Sequence, residues 1–452
     1  MIKWTNKPSK DSKEIHFYLD DKNKKESALN VKLNNKAQKD IYALAKSLRS
    51  ALLKAKSHKY FKLSVDLKHL KSLTEFSEEE LTFELVFQFE FANYIFDKYK
   101  SKKADKVEAV ALQNYNAPAL KRAQVFAKFI NQSRDLANTP GESITPQSLA
   151  QFAKRLAKQN KSLKCSVLDE KQLQKMGAGA ILAVGKASAH KPRLIILEYK
   201  GAGSKEKPVA IIGKGITFDT GGLDIKPAGR FADMYLDMTG AAAALNTVAL
   251  AAELKLKKNL VAVVPAAENA IGKDAMRPGD IIKSLSGKTI EVGHTDAEGR
   301  LILADAITYS KKFRPALAIT VATLTGAALV ALGQEAHAIM SKDEDFAWQV
   351  SKWSKKVSDP AWPLPLWDEY LEIMRGTFAD LNNVQNKGSK SDGGTVTAGA
   401  FLYEFAKELD AEFLHVDMAP RMLPGPNDAL PKEGGSMGGP IRLLLEIIER
   451  RA

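Results

Sequence analysis

The stretch Gly293-His294-Thr295-Asp296-Ala297-Glu298-Gly299-Arg300-Leu301 constrains the fold more than any other part of the chain. It sets Asp296, Glu298 and Arg300 at alternate positions. Lys288 to Val292, just before it, is rich in β-branched side chains and reads as a strand. Leu301 to Phe313, just after it, carries apolar side chains at helical spacing. The motif is therefore expected at a strand-to-helix turn, where open α/β sheets place their ligands. On an extended backbone the three charged side chains would share one face. A divalent cation for the acids and an anion for the arginine would explain that grouping. A surface ion-pair ladder is the competing reading, and such ladders contribute little energetically.

The rest of the chain agrees with an α/β architecture. Arg193 to Lys200 and Val209 to Gly213 are strand runs apolar enough to be buried on both faces. Leu260 to Ala266, Leu317 to Thr323 and Phe413 to Val416 read the same way. Helical patterns separate them, including the alanine-rich segment Phe231 to Leu254. This alternation predicts a mixed, largely parallel sheet flanked by helices. Ahead of it, Ile15 to Leu19 and Tyr60 to Leu67 read as strands. Lys36 to Ala55 and a segment capped at Ser77 and reaching Tyr99 read as helices. We expect a smaller α/β amino-terminal domain over 1–115, a linking helical segment over 116–155 and a catalytic domain over 156–452. Pro118 to Ser133 is the expected linking helix, broken at Arg134 to Gly141.

Two further clusters carry chemistry. In Gly213-Lys214-Gly215-Ile216-Thr217-Phe218-Asp219-Thr220-Gly221-Gly222 a lysine ends an apolar run and an aspartate follows in the next turn, with Lys226 beyond. The segment completes neither a Walker pattern nor a Gly-x-Gly-x-x-Gly fingerprint. Asp237 stands among apolar neighbours before Gly240 to Ala244 and needs a partner if buried.

Taken together, the segment at 294–301, the cluster at 213–222 and the later Lys226 resemble the leucine (cytosol) aminopeptidase family of two-metal exopeptidases. The resemblance runs from about Arg134 to the end of the chain. It includes Thr323-Leu324-Thr325-Gly326-Ala327 and Gly435-Ser436-Met437-Gly438-Gly439-Pro440. It implies that Lys214, Asp219, Asp237 and Glu298 hold one metal ion. Asp219, Asp296 and Glu298 would hold the other, so that Asp219 and Glu298 bridge. It implies that Lys226 polarises the scissile carbonyl and that Arg300 fixes a bicarbonate acting as proton shuttle. Met234, Thr323, Leu324, Ala419 and Met437 would contact the substrate, with an apolar pocket for leucine and similar first residues. The two ions would be Zn²⁺, Mn²⁺ or Mg²⁺. The partners would be peptide substrates, within a homohexamer. His294 stands where that family usually has asparagine, and we expect it to serve as a hydrogen-bonding substitute.

Other classes are disfavoured. There is no His-Glu-x-x-His segment, and Ser204, Ser284 and Ser286 lack a Gly-x-Ser-x-Gly elbow. Cys165 is the single cysteine, which fits a reducing compartment, and the amino terminus carries no secretory pattern. A cytoplasmic location follows as an expectation. The uncharged run Pro315 to Gln334 reads as a strand and turn rather than a membrane span. The net charge of +14 raises a second possibility, a basic scaffold that binds nucleic acid with peptidase activity secondary or absent. Its lysines are interspersed with acids such as Glu78, Glu79 and Glu80, and no nucleic-acid motif accompanies them.

Overall fold

The computed structural model describes residues 1–229, 231–386 and 392–451. They divide into two units. The first comprises 1–131 together with 354–359 and 423–437; the second comprises 132–353, 360–422 and 438–452.

In the first unit, β1 (Lys3–Thr5), β2 (Lys13–Tyr18), β3 (Leu29–Lys32), β4 (Lys62–Asp66) and β5 (Ala109–Gln113) form a parallel sheet in the order β1-β5-β4-β2-β3. The helix Ile41–Ser57 starts at Asp40, whose side chain accepts from Tyr42 N. The helix Glu78–Asn93 starts with a capping box between Ser77 and Glu80. It ends before the expected Tyr99, because Tyr94 already takes an extended conformation. This helix is buried almost all round, which its polar members tolerate by pairing. Gln88, for example, accepts from Arg49 Nε at 2.6 Å and donates to Glu84 at 2.9 Å.

The second unit is built from β6 (Leu163–Leu168), β7 (Arg193–Lys200), β8 (Val209–Gly213), β9 (Gly215–Asp219), β10 (Asn259–Asn269), β11 (Ile281–Lys283), β12 (Thr289–Glu291), β13 (Leu317–Ala322), β14 (His337–Met340), β15 (Ala361–Pro363), β16 (Leu381–Asn382) and β17 (Glu412–Asp417). Among the described residues the large sheet runs β15-β14-β17-β13-β8-β10-β7-β6, with β9 beside β10. The strands β8, β10, β13 and β17 are mutually parallel neighbours, and β6, β7 and β14 add antiparallel pairs. The expected mixed, largely parallel sheet flanked by helices is what the fold shows. The helices Thr239–Glu253 and Glu298–Ser310 are buried along most of their length against it.

Three local expectations shift. The helix at 117 does not break at Arg134 but runs on to Asn138. The segment at 231–254 divides into a 3-10 turn, Met234–Met238, and the helix Thr239–Glu253. The strand before the charged motif, β12, is not part of the large sheet. It belongs to a separate three-stranded sheet, β11-β12-β16. Pro315 to Gln334 contains β13 and the short helix Gly326–Leu332. Among the described residues no helix is long and apolar enough to cross a membrane.

Candidate metal centre

The site gathers where parallel strands of the large sheet end. Lys214 follows β8 directly, and its backbone N–H donates to Val321 O of β13 at 3.0 Å. Its side chain is buried. Lys214 Nζ lies 2.8 Å from Asp237 Oδ2 and 2.9 Å from Glu298 Oε1, and it donates to Thr323 O at 3.1 Å. The approach is so close that a Cβ on Gly299 would stand 2.5 Å from Lys214 Cε. Any larger residue at 299 would displace the lysine.

Asp219 closes β9. Its Oδ1 accepts from Gly221 N at 2.9 Å and from Asn269 Nδ2 at 2.8 Å. Its Oδ2 lies 2.8 Å from Lys226 Nζ, which also reaches Asp296 Oδ1 at 2.5 Å. The chain between Asp219 and Lys226 turns back through Gly221, at φ +86°, a backbone conformation that L side chains rarely adopt. Lys226 N then donates to Thr220 O at 3.0 Å. Asp237 sits in the 3-10 turn Met234–Met238, and its Oδ1 accepts from Thr323 Oγ1 at 2.6 Å.

Glu298 opens the helix Glu298–Ser310 and is 1% exposed. The charged motif is thus not extended across 296–300, as its alternation suggested. Only Asp296 precedes the helix. Glu298 turns toward Lys214, whereas Arg300, two helical positions on, donates Nη1 to Asn383 O at 2.6 Å. Asp219, Asp296 and Glu298 each offer an oxygen within 4.8 Å of the others, a group that could hold a metal ion. Glu298 Oε2 is buried and has no hydrogen-bond partner among the described residues; Arg300 Nε likewise has none among them.

The electrostatics follow from that crowding. In their ordinary charge states Asp219, Asp237, Asp296 and Glu298 outnumber Lys214 and Lys226 by two negative charges. Burial, and then the neighbouring carboxylates, push Asp237 and Glu298 up to about 7 and Asp296 up to about 6. Burial also acts on Asp219, but Lys226, Lys214 and its hydrogen bonds outweigh it and hold that carboxyl below its ordinary range. Burial opposes the charge on both lysines, yet the facing carboxylates win and keep them above the ordinary lysine range. Burial pulls Arg300 down to about 10, so it remains a cation at neutral pH.

An excess of buried negative charge with an open carboxylate oxygen fits divalent cations. It also sets a pH dependence. A carboxyl whose folded value is raised is stabilising below its unfolded value and loses that contribution as pH rises to the folded one. Exhaustively chelated protein should therefore lose stability between about pH 4.5 and about pH 7, on the order of a few kcal/mol, whereas Mn²⁺-loaded protein should not. Thermal melts across that window with and without metal check this; coincident profiles would count against a metal site here.

Supporting residues surround the cluster. Thr295 Oγ1 donates to Gly221 O at 2.6 Å and accepts from Asp224 N at 2.8 Å, while Thr295 N donates to Asp224 Oδ2 at 2.7 Å. These bonds tie the Lys226 loop to the charged motif, so Asp224 pairs with Thr295 rather than simply neutralising Lys226. Asn383 is fully buried. Its side chain accepts from Gly293 N and His294 N and donates to His294 O at 2.7 Å, while its own carbonyl receives Arg300. His294 is half-buried, and its Nδ1 accepts from Asp296 N at 3.2 Å. That acceptor role is one an asparagine oxygen could also fill. Neither Asn269 nor Asn383 was singled out from sequence. Asn269 carried one usable signal, a polar residue closing an apolar strand.

The residues expected to contact substrate fall as follows. Met234, Leu324 and Ala419 are half-buried, and Thr323 is buried with its hydroxyl on Asp237. Leu324 and Ala419 follow the adjacent parallel strands β13 and β17. Met437 is half-buried and belongs to the first unit.

Comparison with known proteins places this geometry in context. Residues 131–445 match the family model described as the cytosol aminopeptidase family, catalytic domain. A probable cytosol aminopeptidase of Nitrosococcus oceani is 44% identical over 373 residues, covering 80% of this chain and 72% of the relative. The cytosol aminopeptidase of Pseudomonas aeruginosa is 42% identical over 372 residues, covering 79% and 72%. Among solved structures, the bottromycin maturation enzyme BotP in complex with Mn is similar at a TM-score of 0.82 and 30% identity, over 93% of this chain and 90% of that one.

Proposed function

The chain belongs to the cytosol aminopeptidase family of metallo-exopeptidases, and from that premise we propose that it releases leucine and other neutral apolar residues from the amino end of peptides. The observation that supports this most is the group of four carboxylates around Lys214 and Lys226, three of them buried, with Glu298 Oε2 left open.

Lys214, Asp219, Asp237 and Glu298 would hold one divalent ion, and Asp219, Asp296 and Glu298 a second. Zn²⁺, Mn²⁺ and Mg²⁺ suit this oxygen-rich set, and Mn is the ion bound in BotP. When bound, such a pair supplies Lewis acidity and an activated water. Lys214 can join the ligands only as the free amine. The carboxylates that favour its ammonium form stop doing so once a cation neutralises them.

Lys226 would donate to the carbonyl oxygen of the scissile bond, where negative charge develops. Arg300, buried with its Nε unpartnered, suits a small anion, and bicarbonate would serve there as proton shuttle. Asn383 O holds one end of that guanidinium and so sets where the other points. Met234, Thr323, Leu324 and Ala419 would meet the first side chain. One methylene there changes discrimination by only about 1–3 kcal/mol, so the preference should be broad. We carry a homohexamer and a cytoplasmic location as parts of the same reading.

The test is elemental analysis of the purified protein together with a panel of aminoacyl-p-nitroanilides. Bound divalent metal and release from the leucyl substrate are expected, with loss of release on exhaustive chelation and recovery with Mn²⁺ or Zn²⁺. Full activity after chelation would refute the reading.

A further inference from the structure

Strands β13 and β17 lie side by side and parallel, with Ala322 opposite Asp417. Each runs into a turn that carries residues proposed above for the first-side-chain pocket. Leu324 follows β13 and Ala419 follows β17. One carboxylate joins the two turns. Asp417 Oδ1 accepts from Leu324 N at 3.1 Å and from Ala419 N at 3.1 Å. Its Oδ2 accepts from Thr325 Oγ1 at 2.7 Å. The sheet does not need this acid to stay paired, because Met418 N donates to Ala322 O at 2.7 Å just beyond it.

Asp417 is fully buried. A buried carboxylate is costly to hold unless its acceptors are filled, and here donors from two separate turns fill them. With both amides on a single oxygen, their separation is capped. Thr325, through its hydroxyl on the second oxygen, fixes the rotation of the carboxylate. That hydroxyl also meets Thr395 Oγ1 at 3.0 Å, so the arrangement is anchored from a third segment.

We propose that Asp417 is a positioning residue for substrate selection, setting the spacing between Leu324 and Ala419 and with it the width of the pocket for the first side chain. This rests on the reading of those two residues as pocket walls. The group acts through backbone amides and touches no substrate itself. What it supplies is an acceptor at a fixed place, so its shape matters more than its charge.

Asp417→Ala is expected to raise KM for leucyl-p-nitroanilide about tenfold and to erode the preference for leucyl over alanyl substrate, with kcat and bound metal near wild type. Asp417→Asn keeps an acceptor oxygen in place and should hold KM within about threefold of wild type. A lower melting temperature and active fraction with unchanged KM would mean a structural role only and would overturn the proposal. So would an asparagine variant as impaired as the alanine one. If Asp417→Ala does not fold, Thr325→Val removes the hydroxyl that fixes the carboxylate and must still raise KM several-fold; an unchanged KM there overturns the proposal too. Ala419→Val separates the two levels of the argument. If it shifts the leucyl-to-alanyl ratio while Asp417→Ala leaves KM alone, the inference about Asp417 fails by itself. If Ala419→Val shifts nothing, the pocket reading fails and takes the inference with it.

Discussion

Glu298→Ala is expected to lower kcat on leucyl-p-nitroanilide at least about a thousandfold, because the proposed centre loses a ligand common to both ions. Glu298 is 1% exposed, one of its oxygens faces Lys214 and the other is unpartnered. Asp219 and Asp237 are buried too, but their oxygens face Gly221, Asn269, Lys226, Thr323 and Lys214. Asp296 is the useful contrast. Its side chain is 29% exposed and it is proposed to serve one ion only. Elemental analysis should accordingly show Glu298→Ala with less than one ion per chain and Asp296→Ala with about one, both nearly inactive. Glu298→Gln controls for folding. It removes one charge from a crowd of like charges, so its chelated form should melt no lower than chelated wild type above neutral pH. Wild-type metal content in Glu298→Ala would remove the glutamate from the site, and wild-type turnover would remove the site from the reaction.

What could be read from the sequence, and what could not, divides along the range of the interactions. The apolar runs at 193–200 and 209–213 could be read as buried strands because burial on both faces leaves a continuous local signal. Lys214 stood out for the same reason, as a polar residue ending such a run, whereas Asp219, expected in the turn after it, instead closes a strand of its own, β9. Side-chain direction within 296–300 was misjudged. Alternation suggests an extended segment, but the helix starts at Glu298, and residues two apart on a helix do not share a face. The strand β12 was legible as a strand but not as a member of a separate sheet, since three residues hold too little pattern to specify a partner. Asn383 was invisible. Its bonds to Arg300 and His294 span 83 and 89 positions, and a hydrogen bond between distant loops has no period in the sequence. The continuation of the helix past Arg134 to Asn138 was legible by contrast, because no glycine or proline interrupts it before Pro140.

Lys226→Met is expected to reduce kcat by about 10²–10³-fold while leaving the metal content unchanged, the signature of a group that stabilises developing charge rather than one that builds the site. Methionine keeps an unbranched chain of similar length and removes only the cation. Lys226 Nζ lies against Asp219 Oδ2 and Asp296 Oδ1, and its side chain is 14% exposed. Without a bound cation those carboxylates outweigh burial and hold it above the ordinary lysine range. The loop that carries it is fixed at both ends: Lys226 N is bound to Thr220 O, and Asp224 is bound to Thr295. The methionine variant has the same backbone anchors, which is why its loss should fall on turnover and not on folding. If kcat and kcat/KM fall together, the lost interaction belongs to the transition state. If only KM rises, Lys226 binds the ground-state peptide, and the oxyanion role would have to pass to another donor at the same end of the sheet.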